Sequence, residues 1–392
     1  MRKTNWIIGL MAVYAVTGCN QKNTEESTNL TPIVVDWNYK DLDYSHWVED
    51  SVLVVPLETK DDCLIGEITY LVYQNHKIYV GDNLSKAVYV FDEKGRLLSM
   101  LRAVGNGPEE YLNIAAFTVM DSRLVIYDNL KRKILFYDEN GSFLYEKDAS
   151  QIWGVEMFCL DNSLYLLNDK SEPPMGSYHL FQLNPNEEND NIEAILASDK
   201  IDPNIGWAID RYCGINKGEA IFTVWPGDVL YKLKEGEVQP AYKVDFGDKR
   251  LPEKYMWGDG FTAMKVALRD DYITGIKTVT HSDRYIFLTC SDLCNIIYDK
   301  KTGKELTAKR FYNKSLGGWA LTLRWSSIQD GYLVTYRNVS SWVIEKELDF
   351  NWNEQDFKSE YVKGLFRRLQ QANIEDNPVI IIQKIKEDVE LF

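Results

Sequence analysis

Short apolar runs separated by polar turns fill most of the chain, and one arrangement of them repeats. Residues 76–95 and residues 122–141 align without a gap at an offset of 46 positions. In this alignment Asp82 matches Asp128, and both copies end in an Asp-x-x-Gly turn that another apolar run follows. Aspartate opens such a turn through its side chain, and glycine supplies the positive φ that the turn needs. The pattern predicts a repeated unit of β-strands.

Weaker copies of this unit follow along the chain. They lie at residues 164–183, 220–246, 284–303 and 332–345. Six units of about 45–60 residues each predict an all-β fold, a six-bladed β-propeller. Many runs are apolar at consecutive positions, which is typical of strands that are buried on both faces. A two-sheet sandwich is the main alternative, but it does not explain the gapless repeat.

The two ends of the chain are expected to close the ring. The apolar run at 51–57 precedes the first repeat and has no unit of its own, so we expect it to complete the last blade beside a strand at 379–385. Between the last repeat and that strand, an amphipathic helix is predicted at about 353–372. Its apolar positions at helical spacing are Phe357, Tyr361, Leu365, Phe366 and Leu369.

The N-terminus has the pattern of a bacterial lipoprotein signal. Two basic residues precede a short apolar run at 6–16, which is too short to span a bilayer. The sequence Val16-Thr17-Gly18-Cys19 then resembles a lipobox, in which small residues precede a cysteine that receives the lipid. An ordinary secretory signal with a chance cysteine is the alternative.

This pattern predicts three regions in the chain. They are a signal peptide at 1–18, a polar, flexible tether at 19–32 that begins with lipidated Cys19, and a single propeller domain at 33–392. Several acyl chains on one residue give stable anchoring. We therefore expect a cell-envelope protein in the outer membrane, on its periplasmic side or on the cell surface.

Charge and cysteine content narrow the functional classes. The formal net charge of −15 argues against nucleic acid as a partner, because a phosphate backbone attracts basic surfaces. Beyond Cys19, the five cysteines are too scattered for a disulfide framework. Cys290 and Cys294 flank a short turn and either form one disulfide or remain two buried thiols.

No cofactor or metal site is predicted. A single CxxxC pair is a poor zinc signal, and the four histidines do not occur at ligand spacing. The segment Gly105–Tyr111 contains two glycines but lacks the lysine of a P-loop and a following helix. We interpret it as a structural turn that links the outer strand of one blade to the inner strand of the next.

Four segments, with the lipobox, carry a resemblance that extends along the whole chain. They are Val55–Gly66, Lys77–Phe91, Gly105–Tyr111 and Asp376–Lys386. The sequence resembles the six-bladed β-propeller lipoproteins that are abundant in Gram-negative gut anaerobes and are related to NHL-repeat proteins. The resemblance implies a fold and an envelope location. It brings no established catalytic residues.

Candidate ligand-binding residues lie in the loops that lead into the inner strands and in the loops between second and third strands. They are Arg102, Trp207, Trp225, Arg250, Tyr255, Trp257, Arg269 and Trp319. The loop at 247–273 is unusually long, and long loops on rigid scaffolds often bind ligands. Aromatic rings there suit the faces of sugars.

Three functional hypotheses follow. The favoured one is a non-enzymatic, membrane-anchored binding or interaction module for a glycan or a peptide. The first alternative is a propeller enzyme, a polysaccharide lyase or glycoside hydrolase that acts in the central funnel. The second is a structural partner in an envelope complex, which an exposed apolar patch away from the funnel would favour.

Overall fold

A computed structural model of the chain shows six β-sheets arranged around an axis. The residues that it describes are 30–38, 40–168, 178–187, 191–197, 213–224, 227–256, 260–291, 294–316, 319–321, 326–340, 360–369 and 371–391. The six-bladed β-propeller predicted from the repeat is confirmed.

Strands are numbered in chain order, and each blade is listed from its inner to its outer strand. Before the first blade come β1 (Thr31–Val34), β2 (Lys40–Asp43) and β3 (Val48–Pro56). Blade 1 contains β4 (Tyr70–Gln74), β5 (Lys77–Asp82), β6 (Ala87–Asp92) and β7 (Leu97–Leu101). Blade 2 contains β8 (Ala116–Met120), β9 (Arg123–Asp128), β10 (Lys133–Tyr137) and β11 (Phe143–Asp148). Blade 3 contains β12 (Gly154–Leu160), β13 (Ser163–Asn168), β14 (Tyr178–Leu183) and β15 (Ile192–Ala197).

The remaining blades are less regular. Blade 4 contains β16 (Cys213–Asn216), β17 (Glu219–Thr223), β18 (Val229–Lys234) and β19 (Glu237–Asp245). Blade 5 contains β20 (Thr278–His281), β21 (Tyr285–Ser291), β22 (Cys294–Asp299) and β23 (Glu305–Asn313), and β24 (Trp319–Leu321) pairs with β23. Blade 6 contains β25 (Ser326–Gln329), β26 (Tyr332–Arg337), β27 (Val379–Ile385) and finally β3.

The core is divided between the blades. Among the described residues, one cluster of buried side chains fills the space between each pair of neighbouring blades. Along β5, Ile78 and Val80 pack towards blade 6, whereas Tyr79 between them packs towards blade 2. Successive side chains of a strand point to opposite faces, so a strand between two neighbours is apolar at every position. This explains the continuous apolar runs in the sequence.

The aspartates of the repeat hold the turns. Asp128 is fully buried, and its carboxylate accepts hydrogen bonds from the amides of Leu130 (2.9 Å) and Lys131 (3.1 Å) in its own turn. Its second oxygen accepts from the amide of Leu112 (2.7 Å), in the loop that leads into the same blade. Asp82 makes the equivalent bond to the amide of Gly66 (2.8 Å). The repeated aspartate therefore ties two loops together at one end of blade 1 and of blade 2.

The ring is closed by the N-terminal segment. β3 lies antiparallel to β27, with Val55 opposite Ile380, as the outermost strand of blade 6. The sequence places this strand at 51–57 and its partner at 379–385; the structure has them at Val48–Pro56 and Val379–Ile385. Strands from the two ends of the chain thus share one sheet.

Two further N-terminal strands pair with outer strands of the ring. β1 is parallel to β19 and forms a fifth strand of blade 4, and β2 is parallel to β23 on blade 5. Thr31 and Pro32, which the sequence assigns to the tether, are already paired in β1, so the boundary at 32 is two residues late. The polar composition of the segment does not indicate this pairing, because backbone hydrogen bonds and one buried side chain of β1, Ile33, hold the strand in place. The described chain therefore starts at blade 4, two blades away from the closing strand β3.

Helices are few and lie outside the blades. α1 (Glu253–Met256) and α2 (Gly260–Asp270) lie between blades 4 and 5, and α3 (Glu360–Leu369) lies between β26 and β27. α3 falls inside the helix expected at 353–372, whose first seven residues are outside the described chain. Val362 of α3 is buried against Val54 and Val379, so this helix packs on blade 6.

Candidate functional site

A cavity lies on the axis of the ring, between the six inner strands. Its volume is about 390 Å³. It is lined by residues from β4, β8, β12, β16, β20 and β25 or their flanking turns, and by Asn83 from the turn between β5 and β6. This volume is at the lower end of the range for small-ligand pockets, ~300–1,000 Å³. Its polar lining includes Gln74, Asn83, Glu156, Asn216, Lys217 and Gln329.

The walls of this cavity are strand edges. Each inner strand pairs with its own blade on one side only, so its other edge faces the axis. Such an edge presents backbone N–H and C=O groups that need partners. The axial cavity is therefore lined by hydrogen-bonding main chain as well as by side chains.

On the side of blades 5, 6 and 1, neighbouring side chains occupy part of these edges. The Gln329 side chain donates to the Leu71 carbonyl (3.1 Å) and accepts from the Tyr73 amide, which joins β25 to β4. The Thr280 hydroxyl accepts from the Ile328 amide (2.6 Å) and joins β20 to β25. These bonds hold the three inner strands together.

The inner strands of blades 4 and 5 come unusually close to each other. A Cβ on Gly214 would lie 2.6 Å from the Cα of Thr280, which is closer than real Cβ atoms approach backbone. Glycine is required here because any side chain would push the two strands apart. The close contact narrows the cavity on the side of blade 5, where Thr280 is the lining residue.

One end of the cavity is bordered by the turns between the first and second strands. Asn216 donates from Nδ2 to Asp283 Oδ1 (2.8 Å), and Lys217 forms an ion pair with the same carboxylate. The hydrogen bond from Lys217 lowers the pKa of Asp283. The Asn216 side chain is buried, and its Oδ1 has no hydrogen-bonding partner in the structure.

The candidate ligand residues from the sequence do not line this cavity where the structure describes them. Arg250 forms an ion pair with Asp228 (3.0 Å), and Arg269 is exposed and hydrogen-bonded to Asp270 (2.7 and 2.6 Å). Arg102 is exposed just after β7, and Tyr255 packs against the α1–α2 cluster. Trp207, Trp225 and Trp257 lie outside the described residues, as does the side chain of Trp319 in β24.

The long loop at 247–273 forms a small helical unit. Leu251, Met256, Ala263, Val266 and Ala267 are buried together between α1, α2 and the loop. The other side of α2 presents apolar residues to solvent. Phe261 is 68% exposed, Met264 50% and Leu268 79%. Their spacing of three and four residues places them on one stripe of the helix, which we call the α2 stripe.

The Gly105–Tyr111 segment is a structural turn, as the sequence indicates. The Gly107 amide donates to the Glu110 carboxylate of the same loop (2.7 Å). Lys131 from the next blade donates to the carbonyls of Gly107 (2.9 Å) and Glu110 (2.7 Å). A phosphate would have to compete with these internal bonds.

The histidines and cysteines of the described chain are structural in their surroundings. Burial lowers the pKa of His281 and of His179 to about 4. Cys290 and Cys294 are free, buried thiols in this structure, which is one of the two alternatives that the sequence leaves open.

Within the described ranges, no three His, Cys, Asp or Glu side chains come together as metal ligands. No helix in the same ranges is long and apolar enough to cross a membrane. Cys19 precedes the described residues.

Sequence comparison decides the family. A family model described as "Domain of unknown function (DUF4934)" matches residues 32–384, which include all six blades. The chain belongs to the DUF4934 family. No curated protein matches this DUF4934 member significantly.

A solved Bacteroides structure shares the fold of this DUF4934 protein. A crystal structure described as a "Putative exported protein" from Bacteroides fragilis NCTC 9343 superposes with a TM-score of 0.70 at 18% identity, over 91% of this chain and 99% of that chain. A member of the DUF4221 family from Bacteroides vulgatus ATCC 8482 gives a TM-score of 0.48 at 10% identity, over 87% of this chain and 99% of that chain. At these identities the likeness concerns the fold alone.

Proposed function

We propose that this DUF4934 protein is an exported, lipid-anchored binding module of the cell envelope, and that its ligand enters the axial cavity. The observation that carries the proposal is the cavity itself, a space of about 390 Å³ between the six inner strands of one closed ring, lined by both polar and apolar groups. Pockets of this kind on rigid scaffolds are the usual places for ligands. The lipobox ending at Cys19 and the export ascribed to the Bacteroides fragilis structure support the envelope location.

The cavity suits a peptide better than a glycan. Its walls alternate backbone donors and acceptors, which match the amide groups of an extended peptide. Sugar sites commonly use exposed aromatic faces, but the lining residues Phe117 and Phe158 are 4% and 3% exposed. Tyr70 packs beside Phe117, and its hydroxyl donates to the Ala115 carbonyl (2.6 Å). The fourth ring, Tyr73, packs edge-to-face on Tyr332, and its hydroxyl donates to Glu93 (2.5 Å). These rings fill the spaces between blades and offer no face for stacking.

A hydrolase or lyase in the same cavity has less support. Such chemistry needs carboxylates or an acid–base pair that converge on one bond. Glu156 is near the start of β12, whereas Asp330 follows the end of β25. Because the inner strands of a propeller run in the same direction, the two carboxylates lie towards opposite ends of the cavity. The geometry therefore favours binding over catalysis.

The proposal is tested by blocking the cavity. Ile215 lines it from β16, so Ile215→Trp is expected to abolish the thermal stabilisation that a binding tripeptide gives to the protein. Leu98→Trp on the exposed outer strand β7 is the matched control and should leave that stabilisation unchanged. Equal stabilisation of both variants by the tripeptide would place the ligand outside the cavity. Turnover of any peptide or oligosaccharide tested with the protein would support the enzyme hypothesis instead.

Lipid anchoring is tested separately from ligand binding. Cys19→Ala removes the thiol that would carry the lipid, so the protein is expected to move from the membrane fraction to the soluble fraction of cells. Cys159→Ala, at a partly buried cysteine of blade 3, should leave the protein in the membrane fraction. Membrane retention of Cys19→Ala would exclude the lipid anchor.

A second candidate function has an observation of its own. The α2 stripe is an apolar surface away from the cavity, and exposed apolar surfaces often mark sites of protein association. It favours a role as a partner in an envelope complex. Replacing Phe261 and Leu268 by serine should reduce crosslinking to that partner in whole envelopes, and unchanged crosslinking would contradict this role.

A further inference from the structure

The α2 stripe lies on the blade where the N-terminal segment joins the ring. β1 pairs in parallel with β19, and its last residue, Val34, is opposite Asp245. Directly after Asp245 the chain continues into the loop at 247–273, which carries α2. Just after β1, the centre of the Trp37 ring lies 5.0 Å from the ammonium group of Lys249 in that loop. The segment that follows the tether and the helical unit are therefore neighbours in the structure.

The tether is long enough to let the stripe reach a membrane. Residues 20–29 separate Cys19 from Leu30, where the described chain begins. An extended chain covers ~3.3–3.6 Å per residue, so Cys19 can lie up to ~40 Å from Leu30. β1 has four residues and runs towards α2, so its first residue is only ~13 Å behind the end nearest to α2. A lipid on Cys19 would thus keep blades 4 and 5 near the bilayer, whereas blade 1 is on the opposite side of the ring.

The α2 stripe has the chemistry of a helix face that lies in a lipid surface. Phe261, Met264 and Leu268 are exposed on one side of α2, while the other side is buried against the loop. The ammonium group of Lys265 lies 4.4 Å from the centre of the Phe261 ring. Long basic side chains keep their charge among lipid head groups while their stems follow apolar surface. Helices with aromatic and aliphatic residues on one face and basic residues beside them lie in the plane of the membrane interface.

The size of the stripe favours a lipid surface over a protein partner. A standard protein interface takes ~20–30 residues from each side, whereas the stripe offers three side chains. A lipid surface needs no complementary shape, and a lipid anchor would already supply most of the affinity. A second, weak contact is then enough, because a tethered contact forms at high effective concentration.

We infer that the α2 stripe inserts into the surface of the bilayer that holds the anchor, and that this second contact fixes how the ring stands on the membrane. The inference rests on the proposed lipid anchoring at Cys19 and adds a membrane-binding surface to it. α2 lies between β19 and β20, at the face of the ring where outer strands lead into inner strands. Insertion turns this face towards the bilayer, so the end of the axial cavity at the turns between first and second strands stays open to solvent.

Quenching of a fluorophore on the stripe tests the inference. The full lipidated protein is reconstituted into vesicles of zwitterionic phosphatidylcholine, part of which carries a nitroxide on its acyl chains. A label on Met264→Cys is expected to be quenched by the nitroxide. A label on Leu98→Cys, at an exposed position of blade 1, is expected to stay unquenched. Protein without either substitution, treated with the same reagent, gives the background from the native thiols.

A serine substitution with a matched control measures the contribution of the stripe. In the labelled Met264→Cys protein, Leu268→Ser is expected to lower the ratio of inserted to free stripe about tenfold, because one leucine side chain no longer enters the lipid. Leu98→Ser removes another exposed leucine and should leave the quenching unchanged. Added salt should have little effect, since the contact is apolar and Arg269 beside it is paired with Asp270.

The outcomes separate this inference from the proposed anchor. An unquenched label at Met264→Cys on lipidated protein would overturn the inference and leave the anchor in place. Equal losses of quenching in Leu268→Ser and Leu98→Ser would also overturn it, because the contact would not depend on the stripe. If mass spectrometry finds no lipid on Cys19, the anchor and the inference are both wrong. A stripe that is unquenched in vesicles but crosslinks to a protein in whole envelopes would belong to the second candidate function instead.

Discussion

His281 is expected to make the stability of the propeller depend on pH. It lies in β20, fully buried between blades 4 and 5, and its Nε2 has no hydrogen-bonding partner in the structure. Burial, with a smaller contribution from nearby Lys300, lowers its pKa from 6.5 to about 4. In the unfolded chain the ring is in water and takes up a proton at higher pH than it does in the fold.

The sign and size of the effect follow from linkage. Above about pH 6.5 the ring is neutral in both states, so no stability is lost. Between pH 6.5 and 4 the unfolded state binds more protons than the fold, and the free energy of unfolding falls as the pH falls. Each pKa unit is worth ~1.4 kcal/mol, so the loss is ~2–3 kcal/mol at about pH 4.5.

Urea unfolding at about pH 7.5 and about pH 4.5 measures this contribution. His281→Leu removes the titrating group and its unpaired nitrogen, so the loss of stability between the two pH values should shrink by ~2–3 kcal/mol. His76→Asn is the control, because it replaces a histidine whose side chain is 82% exposed, at a turn position with positive φ that asparagine accepts. If His281→Leu keeps the full wild-type pH dependence, the ring is not held neutral by burial and the reasoning is wrong.

Two more predictions follow from the glycines and thiols. Gly95→Ala should destabilise the protein by ~2 kcal/mol or more, because φ is +79° and a Cβ would lie 2.0 Å from the Pro56 carbonyl oxygen. The control Gly236→Ala has a similar φ of +81° but no atom within 4 Å of the added Cβ, so it should cost only ~1 kcal/mol. Thermal or urea unfolding measures both losses. A smaller loss for Gly95 than for Gly236 would contradict the close contact between blades 1 and 6. Cys290 and Cys294 should resist a thiol reagent in the folded protein and react with it in urea, because both are buried. If mass spectrometry finds the two thiols oxidised in protein isolated from the envelope, they form the disulfide and this prediction is wrong.

The fold was accessible from the sequence because propeller blades are local. Each blade except the last is built from consecutive strands, and the turns of blades 1 and 2 use aspartate and glycine at matching positions, as at Asp82 and Asp128. Strands buried on both faces leave continuous apolar runs, and an exact offset of 46 residues makes two neighbouring blades visible. These are short-range patterns, and a sequence records them directly.

The N-terminal strands show where this reasoning stops. A closing strand was predictable, since an apolar run without a blade needs a partner. The parallel strands β1 and β2 were not, because they pair through backbone atoms with β19 and β23, more than 200 residues away. Backbone pairing over such distances leaves little trace in side-chain composition.

The candidate site was decided by tertiary structure alone. The sequence directed attention to arginines and aromatic residues in the loops, and where these are described they lie outside the axial cavity. The lining side chains come from single positions of different blades, such as Glu156, Asn216 and Gln329. Nothing in their local sequence distinguishes them from other strand residues, because only closure of the ring brings them to a common axis. The sequence by itself determined the repeated strands, the closing run and the lipobox, and the closed ring determined which polar groups meet around the axis.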